Sequence, residues 1–209
     1  LEEYYQYGAF LFPHDLTQQL GYEVVRDSWL DGGNDPDPVE VLRDLVQDQG
    51  EDLDALWLDH LGHNVAYDYA AGDWYAYITD WYAQYFTQTQ MIADTAPSRG
   101  GSGRVSGAFA PRRYGAATIQ LDAPDEGLLT VEIEGDAQGT AGSAAEYGAR
   151  LVRITGNDIV YDDVPFTGTD GVLEVAVGGE DRLFLVVGAW TPQWRENLWM
   201  SESVPFDWA

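Results

Sequence analysis

DRLFLVVGAWT, residues 181–191, runs through Leu183, Phe184, Leu185, Val186 and Val187 without a polar break. A strand with one solvated face alternates apolar and polar residues, whereas one covered on both sides does not. The run therefore predicts a central strand. Around it lie five more short runs: YGAATIQLDA (114–123), GLLTVEIEGD (127–136), YGARLVRITG (147–156), IVYDDVPF (159–166) and GVLEVAVGG (171–179). Each is bounded by Gly, Asp, Asn or Pro. In the second, Leu129, Val131 and Ile133 point one way, and Thr130, Glu132 and Glu134 the other. Short strands with turn signals roughly every 10–15 residues predict an antiparallel β-sandwich.

Upstream the period changes. APSRGGSGRVSG, residues 96–107, has no apolar periodicity and reads as a linker. Residues 1–95 read as helical. LEEYYQYGAFLFPHDLTQQLG carries Tyr4, Tyr7, Phe10, Leu11, Leu16 and Leu20 near helical spacing, with Gly21 as its C-cap. A short helix follows over 23–30. In DPVEVLRDLVQDQG, Asp37 is a natural N-cap, Pro38 takes the first helical position and Glu40 completes a capping-box spacing. Its stripe is Val39, Leu42, Leu45 and Val46, and Gly50 stops it. The next helix faces Leu53, Leu56, Trp57, Leu61 and Val65 inward. GDWYAYITDWYAQYFTQTQ, 72–90, reads as a further helix by the spacing of Trp74, Tyr77, Ile78, Trp81 and Tyr85. The expected fold is α+β: an N-terminal all-helical subdomain (1–95), a linker (96–107) and a C-terminal antiparallel β-sandwich (108–209).

The charge is lopsided. Thirty-six acids face ten bases for a net charge of −26, and every base is arginine. Neutralising phosphates needs clustered cations, so neither nucleic acid nor insertion into an anionic membrane is expected. The acids are scattered through every segment, which gives a solvated negative surface suited to high salt or to binding cations. There is no cysteine, hence no disulfide or thiolate chemistry. No run of about 18 apolar residues is present. The sequence opens at Leu1 and carries no visible signal peptide, so it reads as a mature product or as part of something longer.

LWLDHLGHN, residues 56–64, looks like a zinc helix. A zinc-protease helix needs H-E-x-x-H, with two histidines four apart and a glutamate base between them. Here His60 and His63 are three apart, with Leu61 and Gly62 between; the remaining histidine is His14. A structural role is expected for the pair. No G-x-S-x-G or phosphate-binding glycine loop is present. Asp162–Asp163 and Glu132 with Glu134 are carboxylate pairs of the kind that arise by chance among so many acids. Calcium is the better-supported cation. DGGNDPDPVE, 31–40, offers Asp31, Asn34, Asp35 and Asp37 from a loop that leads into a helix, without the spacing of an EF-hand. GNDIVYDD, 156–163, is a weaker second candidate. The aromatics around 74–86, with Trp190, Trp194, Trp199 and Trp208, read as core or interface, and next as protein contacts.

Three stretches resemble a family of secreted bacterial zinc-metalloprotease-like proteins, best represented among myxobacteria. YGAFLFPHDLTQQLGYEVVRDSW (7–29) is similar to that family's helix after the active site, and DPVEVLRDLVQDQGEDLDALWLDHLGHN (37–64) to its next helix pair. RRYGAATIQLDAP (112–124) through LFLVVGAWTP (183–192) is similar to its C-terminal β-domain. The resemblance implies that His60 and His63 are scaffold. It also implies that the H-E-x-x-H helix and third-ligand glutamate lie N-terminal to the YGAFLFP-like stretch. Glu2 and Glu3 sit too close to Tyr7 and Gly8 for that role, so no catalytic residue carries over, and zinc would require an upstream segment.

Two expectations follow. One is the non-catalytic C-terminal part of a secreted zincin-like peptidase, serving as scaffold and binding module. The alternative is a secreted structural or interaction protein, a subunit of an extracellular assembly with calcium as its stabilising ion. In both, the partner is a protein or a second copy, met outside the cell or at its surface.

Overall fold

The computed structural model describes residues 11–32, 38–66, 68, 91–92, 101–106, 110–111, 114–122, 126–136, 145–180, 182–190 and 204–209. Four helices come first: α1 (Leu11–Leu20), α2 (Tyr22–Asp31), α3 (Pro38–Asp48) and α4 (Leu53–Ala66). Gly21 donates its N–H to the Thr17 carbonyl at 3.0 Å and takes φ +94, a left-handed value that turns the chain at once from α1 into α2. Gly50 does the same after α3 at φ +84. Asp52 Oδ1 then accepts from the Asp54 N–H at 2.9 Å as α4 begins. Leu16, Val24, Val46, Leu53 and Leu56 form the helical core, one or two from each helix.

The strands form two five-stranded sheets. The first has the order β1 (Met91–Ile92), β3 (Gly115–Leu121), β9 (Arg182–Trp190), β5 (Glu146–Thr155), β6 (Asp158–Val164). The second runs β2 (Gly103–Val105), β10 (Phe206–Trp208), β4 (Glu126–Gly135), β8 (Asp170–Gly178), β7 (Phe166–Thr167). Every pairing is antiparallel except β1 with β3. The fold is therefore α+β, helices first and antiparallel sheets after. Ile119, Tyr147, Leu151, Leu185 and Val187 of the first sheet pack against Val105, Val131, Ile133 and Phe206 of the second.

Strand β9 is the middle strand of its sheet. Leu185, Val187 and Ala189 face the other sheet. Phe184 and Val186 face α4, where Leu61 meets them with Val152 and Ile154 of β5. Its unbroken apolar run thus has a cause on each side.

Two short strands depart from the sequence reading. Met91–Ile92 lies in the stretch expected to be helical, and Gly103–Val105 lies in the expected linker. Both are held by pairing and not by apolar periodicity. At Gly103 a Cβ would come within 2.9 Å of the Trp208 indole nitrogen, so the residue that makes this stretch look like a linker is needed for packing. The aromatic helix expected over 72–90, with Trp194 and Trp199, lies outside the described residues. Trp190 is buried and Trp208 packs on the inter-sheet core.

Tyr147 ties the sheets together at one end. Its hydroxyl donates to the Pro205 carbonyl at 2.8 Å and accepts from the Asp136 N–H at 3.0 Å. Burial pushes its phenol well above the ordinary tyrosine range.

Candidate functional site

The HLGH stretch sits where α4 crosses the first sheet. Leu61 enters the apolar layer against β5 and β9. Gly62 lies over Arg150: a Cβ there would meet Arg150 Cδ at 2.9 Å and Tyr161 Cδ1 at 3.3 Å. The helix approaches the sheet this closely because position 62 carries no side chain.

His60 is 2% exposed. Its Nδ1 lies 3.3 Å from Asp15 Oδ2 of α1, and its Nε2 lies 2.9 Å from Asn64 Nδ2. A carboxylate oxygen only accepts, so the tautomer with Nδ1–H donates to Asp15 and accepts from the Asn64 amide at Nε2. Phe12 and Trp57 flank the ring, with centroids 5.1 and 5.6 Å away. The ring is thus enclosed by protein on each edge.

His63 belongs to a different cluster, next to β6 and not α1. Its Nε2 lies 3.4 Å from Asp59 Oδ2 and its Nδ1 3.3 Å from the Tyr161 hydroxyl. That hydroxyl donates to Asp68 Oδ2 at 3.3 Å, so its oxygen is left to accept from His63. Both ring nitrogens are then donors, the arrangement of an imidazolium. The Asp59 hydrogen bond accordingly raises the His63 pKa above its ordinary value, against the opposing effect of burial. In return His63, and then Arg150, hold Asp59 down to about 2. Burial pushes the Tyr161 phenol up, and the Asp68 carboxylate adds to that.

Arg150 is the hub. Its Nη1 donates to Asp59 Oδ1 of α4 at 2.5 Å, and its Nε donates to Asp163 Oδ1 of β6 at 2.6 Å. Asp163 is its direct cross-strand neighbour. The guanidinium also lies 5.6 Å from the centre of the Tyr161 ring. One planar fork thereby joins helix, central sheet and edge strand. Sequence reasoning missed Arg150 and Tyr161. The available signal was an arginine inside the apolar run of β5, since a cation in a buried strand requires an acidic partner.

The cation candidates fare differently. Asp31 ends α2, exposed; Asn34, Asp35 and Asp37 lie outside the described residues. In the second candidate, Gly156 makes the β5–β6 turn at φ +59. Asp162 and Asp163 there are held by Arg153 and Arg150. Glu132 and Glu134 point outward into solvent. Among the described residues no group of three or more histidines and carboxylates gathers in metal-binding geometry. A separate open cleft of about 240 Å³ is lined by Arg104, Glu134, Gly135, Asp136 and Asp207. Arg104 spans it, 2.5 Å from Asp207 and 3.7 Å from Asp136. No described helix is long and apolar enough to cross a membrane.

Among curated proteins none matches the chain. One solved structure similar to it is the pre-peptidase C-terminal domain of a collagenase from Bacillus anthracis. The two are 6% identical, aligned over 52% of this chain and 83% of that one, with a TM-score of 0.32. At that level neither activity nor substrate passes from one to the other. The model of a family described as "Family of unknown function (DUF6055)" matches residues 1–206 of the 209, and the chain belongs to that family.

Proposed function

We propose that this chain is a non-catalytic scaffold and binding module, the C-terminal part of a secreted zincin-like peptidase. The observation that carries the reading is the use made of His60 and His63. One is closed in by Asp15 and Asn64, the other is tied to Asp59 and Tyr161, and both fasten α4 to its neighbours. Residues in such positions hold a scaffold together and leave the chemistry to another segment. The peptidase lineage is supported by the resemblance of 7–29, 37–64 and 112–192 to the metalloprotease-like family, which also motivates the extracellular location. The binding role belongs to the surfaces that the scaffold presents to a protein partner.

The test is the coding sequence immediately upstream of Leu1. The expected finding is an H-E-x-x-H helix followed by a third-ligand glutamate. A signal peptide that ends directly before Leu1 overturns the peptidase lineage and leaves a secreted interaction protein.

A further inference from the structure

Helix α2 is apolar on two sides. Val24 and Val25 face the helical core. On the opposite side Tyr22, Arg26, Trp29 and Leu30 follow the i, i+4, i+7, i+8 spacing of a single stripe. Tyr22 is 59% exposed, Trp29 77% and Leu30 67%. The other large apolar residues exposed among the described ones, Leu128, Val160 and Val172, lie on strands. A tryptophan, a leucine and a tyrosine gathered on one solvent-facing helix are the anchors of a contact surface.

The surroundings of the stripe specify its occupant. Glu23, exposed on the same helix, falls on the Leu30 edge of the stripe. The one cation in the stripe, Arg26, is already paired with Asp27 at 2.6 Å and lies 5.5 Å from the centre of the Tyr22 ring. The stripe is thus bordered by Glu23 and lies on a chain whose net charge is −26. A second copy would bring equal negative charge to the contact and set Arg26 against Arg26 across a twofold axis. An anionic membrane would be repelled. An amphipathic helix with apolar residues on one face and lysine or arginine along its flanks matches both features.

We propose that the α2 stripe docks a cationic amphipathic helix of a protein partner, anchored on Trp29 and Leu30 and steered by the chain's net negative charge. The proposal rests on the binding-module reading and names the chemistry of its partner.

The probe is a fluorescein-labelled Leu/Lys amphipathic helical peptide, titrated into the whole chain by anisotropy at about 0.15 M salt. A Ser/Lys peptide of equal length and charge measures attraction to the acidic surface alone. The Leu/Lys peptide is expected to bind at least about tenfold tighter. A Trp29→Ser, Leu30→Ser double variant should remove most of that margin and leave Ser/Lys binding unchanged. A Leu128→Ser, Val172→Ser variant, which alters exposed residues elsewhere, should keep it. Equal affinity for the two peptides overturns the proposal, as does a margin that survives loss of Trp29 and Leu30 or falls equally in the control variant. A dimer in sedimentation that the double variant disperses also overturns it, in favour of a second copy. The upstream coding sequence decides the peptidase lineage without touching α2, so the two readings fail separately.

Discussion

Gly62→Ala is the sharpest test of the helix–sheet seam, because two effects of opposite sign meet there. In a solvent-facing helix interior, alanine in place of glycine stabilises by about 1 kcal/mol. At position 62 the new methyl group would lie 2.9 Å from Arg150 Cδ, so the arginine must move. It cannot move freely, since its Nη1 and Nε are committed to Asp59 and Asp163. Breaking a fully buried ion pair costs about 3–5 kcal/mol. These carboxylates are 36% and 64% exposed, so water recovers part of the loss and about 2 kcal/mol is the better figure. The balance is a net destabilisation of about 1 kcal/mol, or roughly 2–4 °C in Tm for a chain of this size. The assay is urea unfolding followed by far-UV circular dichroism at fixed ionic strength. In an Arg150→Ala background the closest obstruction is gone, with Tyr161 Cδ1 still at 3.3 Å. The same Gly62→Ala change should then be neutral or stabilising, with a coupling between the two sites of about 1–2 kcal/mol. A Gly62→Ala single variant more stable than wild type would refute the reasoning, and so would simple additivity.

Three further outcomes are expected. His60→Ala leaves Asp15, whose side chain is 9% exposed, without its imidazole and opens a gap beside Phe12 and Trp57. The loss should be about 3 kcal/mol by urea unfolding, and one below about 1 kcal/mol would mean that the pair fastens nothing. Tyr147→Phe removes the hydroxyl shared by Pro205 and Asp136, at a cost of about 1–2 kcal/mol with the sheets still formed; an unchanged midpoint would deny it the role of inter-sheet tie. His63 has a folded pKa above its ordinary 6.5. Its contribution is therefore complete below 6.5 and is lost as pH rises through the folded value, whereas that of Asp59 is complete above 3.8 and is lost as pH falls toward about 2. Wild-type urea midpoints should drop as pH rises above 6.5 relative to those of His63→Gln, and parallel profiles for the two proteins would rule out this linkage.

What could be read in the sequence, and what could not, divides by range. The five apolar residues of β9 reveal a strand covered on both sides, because burial of both faces leaves its mark on every residue of the run. The helix start at Pro38 and the stop at Gly50 are legible for a similar reason: local backbone needs select local residue types. The linker reading of 96–107 hides a strand because β2 is specified by β10, a hundred residues away, and by the ring of Trp208 lying on Gly103. The two histidines mislead in the same manner. Their spacing is visible, but their meaning lies in Asp15, 45 residues earlier, and in Tyr161, 98 residues later. Leu61 and Gly62, which stand where a zinc helix would place its glutamate, are there to meet β9 and to clear Arg150.

The same geometry explains how so acidic a chain holds a compact sheet with so few cations. Arg150 joins α4 to β6, Arg153 joins Asp162 of β6 to Glu180 beyond β8, and Arg104 of β2 reaches Asp207 of β10 and Asp136 at the end of β4. Arg43 of α3 binds Asp54 of α4 and the hydroxyl of Tyr114. In each case one guanidinium bridges groups that come from different elements, a task for which its planar fork of donors is suited and a lysine ammonium is not. At these four seams arginine suits the demand, since each of the four has two acceptors to reach at fixed angles. Exposed carboxylates such as Glu40, Asp44 and Glu132 stand in water, where their mutual repulsion is screened over about a Debye length. Charge in this protein therefore acts in two separate ways, short and directional at the seams, long and diffuse over the surface. The proposed docking of a cationic helix on the α2 stripe draws on the second of these fields.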